Sequence, residues 1–146
     1  MDDRAVSTAL NYALTLGIAT ILVIGLLTAG GNFVRDQRDD VVVSELEVIG
    51  ERLAGDLATT DRLAQIRHGS TSGAVRSELP RRVAGASYDI QIRTSERNVT
   101  LALTSNAIDR TVTTPLSNTT AIAPTNVTGQ PLTIAFDGGQ IEVSHA

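Results

Sequence analysis

The distribution of charged residues sets the first part of the chain apart, because no charged residue occurs from Ala5 to Val34. About 20 consecutive apolar residues suffice for a helix to cross the hydrocarbon core of a bilayer. The segment therefore predicts a membrane-spanning helix over residues 6–34, preceded by a leader of residues 1–5. The leader is short and carries Asp2 and Asp3, so it differs from the positively charged start of an ordinary secretory signal peptide.

Small residues recur at nearly every fourth position of this apolar segment, with an interruption at Ile21. They are Ala9, Ala13, Gly17, Gly25 and Ala29. Residues four apart lie on one side of a helix, and small residues there let helix backbones approach closely in lipid. These five residues, the small-residue ridge, predict a surface that packs against like helices. The alternative is an ordinary anchor, since Gly and Ala are frequent in membrane helices generally.

A second, amphipathic helical pattern begins after Val34, where charged residues return. Its apolar positions keep the 3-and-4 spacing of one helix face; they are Val42, Leu46, Ile49, Leu53 and Leu57. The charged residues predicted on its other faces are Glu45, Glu47, Glu51, Arg52 and Asp56. No proline occurs in residues 1–79, so residues 35–67 are expected to continue the first helix. We expect a kink or loosening at Gly30–Gly31, because glycine costs about 1 kcal/mol relative to alanine in a helix.

From about Ala74 the apolar positions alternate with a period of two, which is typical of strands. Residues 88–93 and 99–104 alternate in this way around Ser95–Arg97 and predict a hairpin. Residues 132–136 and 141–143 predict a second hairpin around Asp137–Gly139. A weaker run extends from Ile108 to Thr114. The prolines that mark turns or strand edges are Pro115, Pro124 and Pro131.

These patterns together predict an α+β fold. Residues 74–146 form a small antiparallel sheet with one apolar face, and the amphipathic helix is the natural cover for that face. The formal net charge is −4 and all 12 basic residues are arginine, with no basic stripe, so no nucleic acid partner is predicted. The absence of cysteine excludes disulfides and thiolate chemistry.

No pattern indicates catalysis. The two histidines, His68 and His145, are isolated, and the sequence has no nucleophile-elbow, P-loop or dinucleotide motif. Asp39–Asp40 is interpreted as capping or solvating a helix start rather than binding Ca²⁺, and Asp137–Gly139 as a turn. We therefore predict that the chain is not an enzyme and has no cofactor and no metal.

The junction at Arg4–Ala5, followed by an uninterrupted apolar helix, resembles the class III (prepilin-type) signal of archaeal type IV pilin-like proteins. In that family a membrane peptidase cuts before the apolar helix, which is retained. The resemblance implies that Arg4 and Ala5 are recognition residues and that the mature chain begins at Val6. Ala5 stands where the archaeal junction more commonly has Gly. Leu10 stands where bacterial pilins have Glu, which argues against a bacterial-type pilin.

The architecture of the whole chain is also similar to small pilin-like proteins of salt-loving archaea. The resemblance implies a structural subunit that is assembled through its apolar helix into a surface filament or pseudopilus. Its partners would be copies of itself or other pilin-like subunits, a prepilin peptidase, a pilus assembly platform and, before assembly, membrane lipid. Two alternatives stay open: a minor pilin or pseudopilin of a secretion or adhesion machine, and a single-pass membrane-anchored surface binding protein that never assembles.

Three Asn-x-Thr glycosylation sequons lie in the C-terminal part, at Asn98, Asn118 and Asn126. They fit an extracytoplasmic C-terminal domain. Basic residues lie on both sides of the apolar segment, so the positive-inside rule does not favour this orientation. The expectation of a single-pass protein with its C-terminal domain outside, and of a cell-surface or filament location after assembly, rests on the resemblance and the sequons.

Overall fold

The computed structural model describes residues 3–66, 72–95, 98–137 and 139–146, with side chains from Val6 onward. One helix, α1 (Asp3–Ile66), precedes a set of strands, which confirms the predicted α+β class. The chain divides into two compact units. The first ends at Arg38, and the second runs from Asp39 to Ala146.

Helix α1 confirms the prediction of one long helix. Gly30 and Gly31 are both helical, so the loosening expected there does not interrupt the secondary structure. Asp39 and Asp40 also lie inside α1. The prediction that they cap a helix start was therefore wrong, because no helix begins at that point. Residue 67, the last of the predicted continuation, lies outside the described residues.

The strands of the described residues form two sheets. They are β1 (Gly73–Ser77), β2 (Tyr88–Ser95), β3 (Asn98–Ser105), β4 (Thr111–Leu116), β5 (Ala121–Ile122), β6 (Thr125–Thr128), β7 (Leu132–Asp137) and β8 (Gln140–His145). The first sheet has the order β1-β7-β8-β5, and the second has the order β4-β3-β2-β6. All the pairings are antiparallel except that of β5 with β8.

Both predicted hairpins are confirmed. Strand β2 pairs with β3 so that Ile90 lies opposite Leu103, and β7 pairs with β8 so that Ile134 lies opposite Val143. The expectation of a single antiparallel sheet was wrong in its detail, because the described strands form two sheets and β5 pairs with β8 in parallel. The division depends on pairings between distant segments, such as β1 with β7, which local alternation does not encode.

The weaker third strand begins later than predicted. Ile108 lies in a turn, and Asp109 has a positive φ of 49°, so the extended backbone of β4 starts only at Thr111. Pro115 lies within β4, opposite Thr100 of β3. Because β4 is an edge strand with one partner, a residue without an N–H is tolerated there, as expected from the sequence.

The core lies between the second half of α1 and the two sheets. The predicted apolar stripe is buried at all five positions, with Leu46 and Leu53 at 0% exposure. The inward-facing residues of both sheets complete this core; they include Ile90, Leu101, Leu103, Leu132, Ile134 and Ile141. At Gly50 the helix backbone approaches the second sheet closely, since an added Cβ would lie 3.0 Å from Thr114 Oγ1.

Tyr88 fills the end of this core beside a glycine. Its side chain is fully buried, and its hydroxyl donates a hydrogen bond of 2.7 Å to the carbonyl oxygen of Pro80. A Cβ at Gly129 would overlap the Tyr88 ring, so no larger residue fits at that position without movement. Burial raises the pKa of Tyr88 to about 12, because the charged phenolate is disfavoured away from water.

Candidate membrane and assembly helix

The first half of α1 has no protein core to cover it. Every side chain from Val6 to Arg38 is exposed, including Leu10, Ile21 and Leu26, each at least 70% exposed. Within the described residues, α1 is the one helix long and apolar enough to cross a membrane, and its apolar stretch is not buried. A helix that is apolar on all sides and unburied is compatible with a membrane anchor.

Three threonines of the apolar half donate their hydroxyl hydrogen bonds to backbone carbonyl oxygens of the same helix. Thr15 donates to the carbonyl oxygen of Asn11 at 2.9 Å, Thr20 to that of Leu16 at 2.8 Å, and Thr28 to that of Ile24 at 2.9 Å. A polar group without a partner is costly in hydrocarbon. These internal bonds remove that cost, so the three hydroxyls do not argue against a lipid environment.

The small-residue ridge is present in the structure as an open surface. Its five residues lie in the helical, exposed part of α1, and an added Cβ at Gly17 or Gly25 would meet nothing within 4 Å. Steric constraint within this chain therefore does not require glycine at these positions. Their role as a packing surface stays a prediction.

The predicted cleavage site lies at the start of α1. The backbone from Asp3 onward is helical, and Val6 is 65% exposed. The side chains of Arg4 and Ala5 lie outside the described part of the structure. Processing at Ala5–Val6 stays a prediction.

A carboxylate near the end of α1 anchors the loop between β4 and β5. Asp61 is 6% exposed. Its Oδ1 accepts a bond of 2.7 Å from the backbone N–H of Thr120, and its Oδ2 accepts bonds of 3.1 Å from the N–H of Thr119 and 2.9 Å from Nε2 of Gln65. Burial alone raises the pKa of Asp61, but the bonds from Thr120, Thr119 and Gln65 outweigh it and hold the pKa below its ordinary value.

Two further acidic residues of α1 contact the β domain. Asp56 accepts a hydrogen bond from Ser77 Oγ at the end of β1, and Glu45 accepts one of 3.2 Å from the backbone N–H of Ala84. The sequence prediction placed Asp56 on a face away from the core. It is half-buried instead, and it is hydrogen-bonded to Ser77 of the sheet.

Sequence reasoning also missed Asp61, although a signal was present. Asp61 lies four residues after Leu57, which is the next position of the buried stripe of α1. Thr60, the residue before it, is also buried. Polar side chains at the spacing of a buried stripe indicate that hydrogen-bond partners will be found in the facing structure.

The three sequons occupy different surroundings. Asn126 is exposed on β6, and Asn98 is exposed as the first residue of β3, directly after residues 96–97, which lie outside the described part. Asn118 is half-buried in the loop that Asp61 anchors, and its Nδ2 donates a bond of 2.7 Å to the carbonyl oxygen of Thr120. The structure therefore distinguishes acceptor candidates that the sequence presents as equivalent.

The acidic and histidine side chains of the described residues are dispersed. Among them no three His, Cys, Asp or Glu side chains lie together as a metal site requires. His145 is exposed at the end of β8, and His68 lies outside the described residues. At Asp137–Gly139 the chain passes between β7 and β8 as predicted, with Gly139 at a φ of 97°; Gly138 lies outside the description.

Fold and exposed helix thus define an α+β protein with one N-terminal candidate membrane helix. The chain belongs to a family of unknown function, DUF7266, whose model matches residues 1–146. No curated protein matches the chain significantly, and no solved structure does so either.

Proposed function

We propose that this chain is an archaeal type IV pilin-like structural subunit, cleaved before Val6 and assembled through α1 into a surface filament or pseudopilus. The observation that carries the proposal is the division of α1. Its first half is apolar and exposed on all sides, and the same helix supplies the core stripe of the β domain. A helix of this kind ties a folded domain to an apolar segment that needs lipid or other protein around it.

The proposed mechanism is physical. Before assembly, lipid surrounds the apolar half of α1. Exposing that surface to water would cost about 25 cal/mol for each Å² of apolar area, so a helix that leaves the membrane must be buried among like helices. The small-residue ridge would let those helices approach closely, where packing supplies the attraction. The β domain would then form the outer, extracytoplasmic surface.

The experiment that tests this proposal is the mass of the mature N-terminal peptide, measured in the membrane fraction and in material sheared from the cell surface. We expect a chain that begins at Val6 in both fractions. An uncleaved chain confined to the membrane would contradict the proposal and favour the anchored binding protein. A cleaved chain that is rare relative to another pilin in the sheared material would indicate a minor subunit.

Assembly itself is tested by adding bulk to the small-residue ridge. Gly17→Leu and Gly25→Leu should abolish sheared filaments while cleavage continues, because the added side chains would hold neighbouring helices apart. The matched control is Ala19→Leu, which adds a side chain on the opposite side of the same helix and should leave filaments intact. Filaments that persist in both ridge variants would rule out close packing through this surface.

A further inference from the structure

We infer that Asn126 is an N-glycosylation site of the folded protein and that the fold withholds the neighbouring sequon at Asn118. The inference rests on the extracytoplasmic placement of the β domain in the proposed function. It goes further by identifying which of two closely spaced acceptors is used and which surface the oligosaccharide covers.

The sequon at Asn126 is presented on an edge strand. Strand β6 has β2 as its one neighbour in the second sheet. Asn126 and Thr128 are both exposed, and Val127 between them packs against the core. Because alternate residues of a strand face opposite sides, the acceptor amide and the sequon hydroxyl lie together on the outer face while Val127 holds the strand in place.

The surface around Asn126 is polar. Asn126 lies opposite Gln91, and Thr128 lies opposite Asp89, and directly opposite residues share a face of the sheet. Asp89 in turn lies opposite Thr104 of β3. This outer face offers amide, carboxylate and hydroxyl groups to sugar hydroxyls, and a glycan on Asn126 would cover it without disturbing the core.

Asn118 is held in a different way. Its Nδ2, the atom that would be modified, donates to the carbonyl oxygen of Thr120 at 2.7 Å. The N–H groups of Thr119 and Thr120 are in turn bound by the buried carboxylate of Asp61. An enzyme would have to free the amide and detach the sequon backbone from α1 before it could use this site.

The modification is a group transfer from a lipid-linked sugar phosphate, catalysed by a membrane oligosaccharyltransferase. Nδ2 of Asn126 forms a bond to the anomeric carbon of the sugar, and the bond from that carbon to the phosphate oxygen breaks. The lipid phosphate leaves with the electron pair, and one amide proton passes to a base. No oxidant or reductant is needed.

Glycopeptide mass spectrometry of the full-length protein from its native membrane tests the inference. Cleavage after Arg110 releases residues 111–146 as one peptide, because no later Arg or Lys occurs, and this peptide contains both sequons. Fragmentation that preserves the glycan should place it on Asn126. Asn126→Gln and Thr128→Ala should each remove the glycan mass completely, while Asn118→Gln and the sequon-preserving Thr128→Ser should retain it.

A glycan on Asn118, or an unmodified Asn126 in the wild-type protein, would overturn the inference. Its failure is distinguishable from failure of the proposed function. An uncleaved, unassembled chain that carries a glycan on Asn126 would refute the filament subunit alone. A cleaved, filamentous chain with a bare Asn126 would refute the glycosylation site alone.

Discussion

The two halves of α1 use the same kinds of apolar residue for different purposes. In the first half, residues 6–38, all side chains are exposed, and Leu22 retains 62% of its accessible surface. In the second half, a stripe of apolar residues is buried, and Leu53 retains none of its surface. The backbone conformation is helical throughout, so the difference lies entirely in what surrounds the side chains.

This comparison shows that helix periodicity carries information about the environment. The second half has one apolar stripe, which fits a single protein face and leaves charged residues outside. The first half is apolar around its circumference, which no single sheet could cover. Its exposed side chains are compatible with a membrane anchor, whereas the apolar stripe of the second half packs against the β domain of the same chain.

Shortening one leucine in each half of α1 should have the largest and most unequal effects on stability. Leu53→Ala should lower the free energy of unfolding of the β domain by about 2–5 kcal/mol, because it removes buried methyl groups and leaves a cavity. Leu22→Ala makes the same chemical change at an exposed position and should alter that free energy by less than about 0.5 kcal/mol. Denaturant unfolding of the full-length protein in detergent, followed by circular dichroism of the β domain, measures both.

Equal losses in the two leucine variants would contradict the division of α1. Such a result would mean that the first half also packs against the β domain. A small loss in Leu53→Ala alone would instead show that the core can collapse around the missing side chain.

Two aspartates, one in each half of α1, should differ in the same way. Asp61→Asn should cost about 1–3 kcal/mol near neutral pH, because an amide cannot accept all the hydrogen bonds that the carboxylate receives and a donor of a partly buried bond loses its partner. Asp36→Asn changes an exposed carboxylate in the first half and should change stability by less than about 0.5 kcal/mol. The same unfolding assay distinguishes them.

The contribution of Asp61 to the free energy of unfolding should decrease at low pH. Since the folded pKa of Asp61 lies below its ordinary value of 3.8, its stabilising contribution is complete above that ordinary pKa and is lost as pH falls through the folded pKa. The stability difference between wild type and Asp61→Asn should therefore shrink on acidification below about pH 4. A difference that stays constant down to pH 2 would show that the charge of Asp61 does not contribute.

Local patterns of the sequence were sufficient for the elements that depend on neighbours in the chain. The stripe from Val42 to Leu57 predicted the buried face of α1, and alternation around residues 88–103 and 132–143 predicted the two hairpins. Each of these follows from a periodicity of 3.6 or 2 that can be read within a short window. The candidate membrane helix followed in the same way from length and absence of charge.

Contacts between distant segments were not predictable in this way. The bonds from Asp61 to the loop at Thr119–Thr120 join residues far apart in the chain, and so does the bond between Asp56 and Ser77. The split into two sheets depends likewise on the pairing of β1 with β7. The difference between Asn118 and Asn126 as acceptors arises from such contacts, and for that reason the sequons alone could not rank them.

The smallest expected effect comes from the two tyrosines. Tyr12 lies in the exposed first half of α1, and Tyr88 lies on β2 in the core that the second half of α1 covers. Tyr88→Phe should cost about 0.5–1.5 kcal/mol, because it removes the hydrogen bond to the carbonyl oxygen of Pro80 while it keeps the ring in the core. Tyr12 is 71% exposed, and Tyr12→Phe should leave the stability of the β domain unchanged.

The Tyr12→Phe variant also isolates Tyr88 for an ultraviolet absorbance titration. The folded pKa of Tyr88 is raised to about 12 from an ordinary value of 10. Its contribution is therefore complete below pH 10 and is lost as pH rises through the folded value. We expect phenolate to appear only near pH 12 or together with unfolding. Phenolate that forms near pH 10 in the still-folded variant would show that water reaches the Tyr88 hydroxyl, and the end of the core beside Gly129 would then resemble the exposed half of the molecule rather than the buried one.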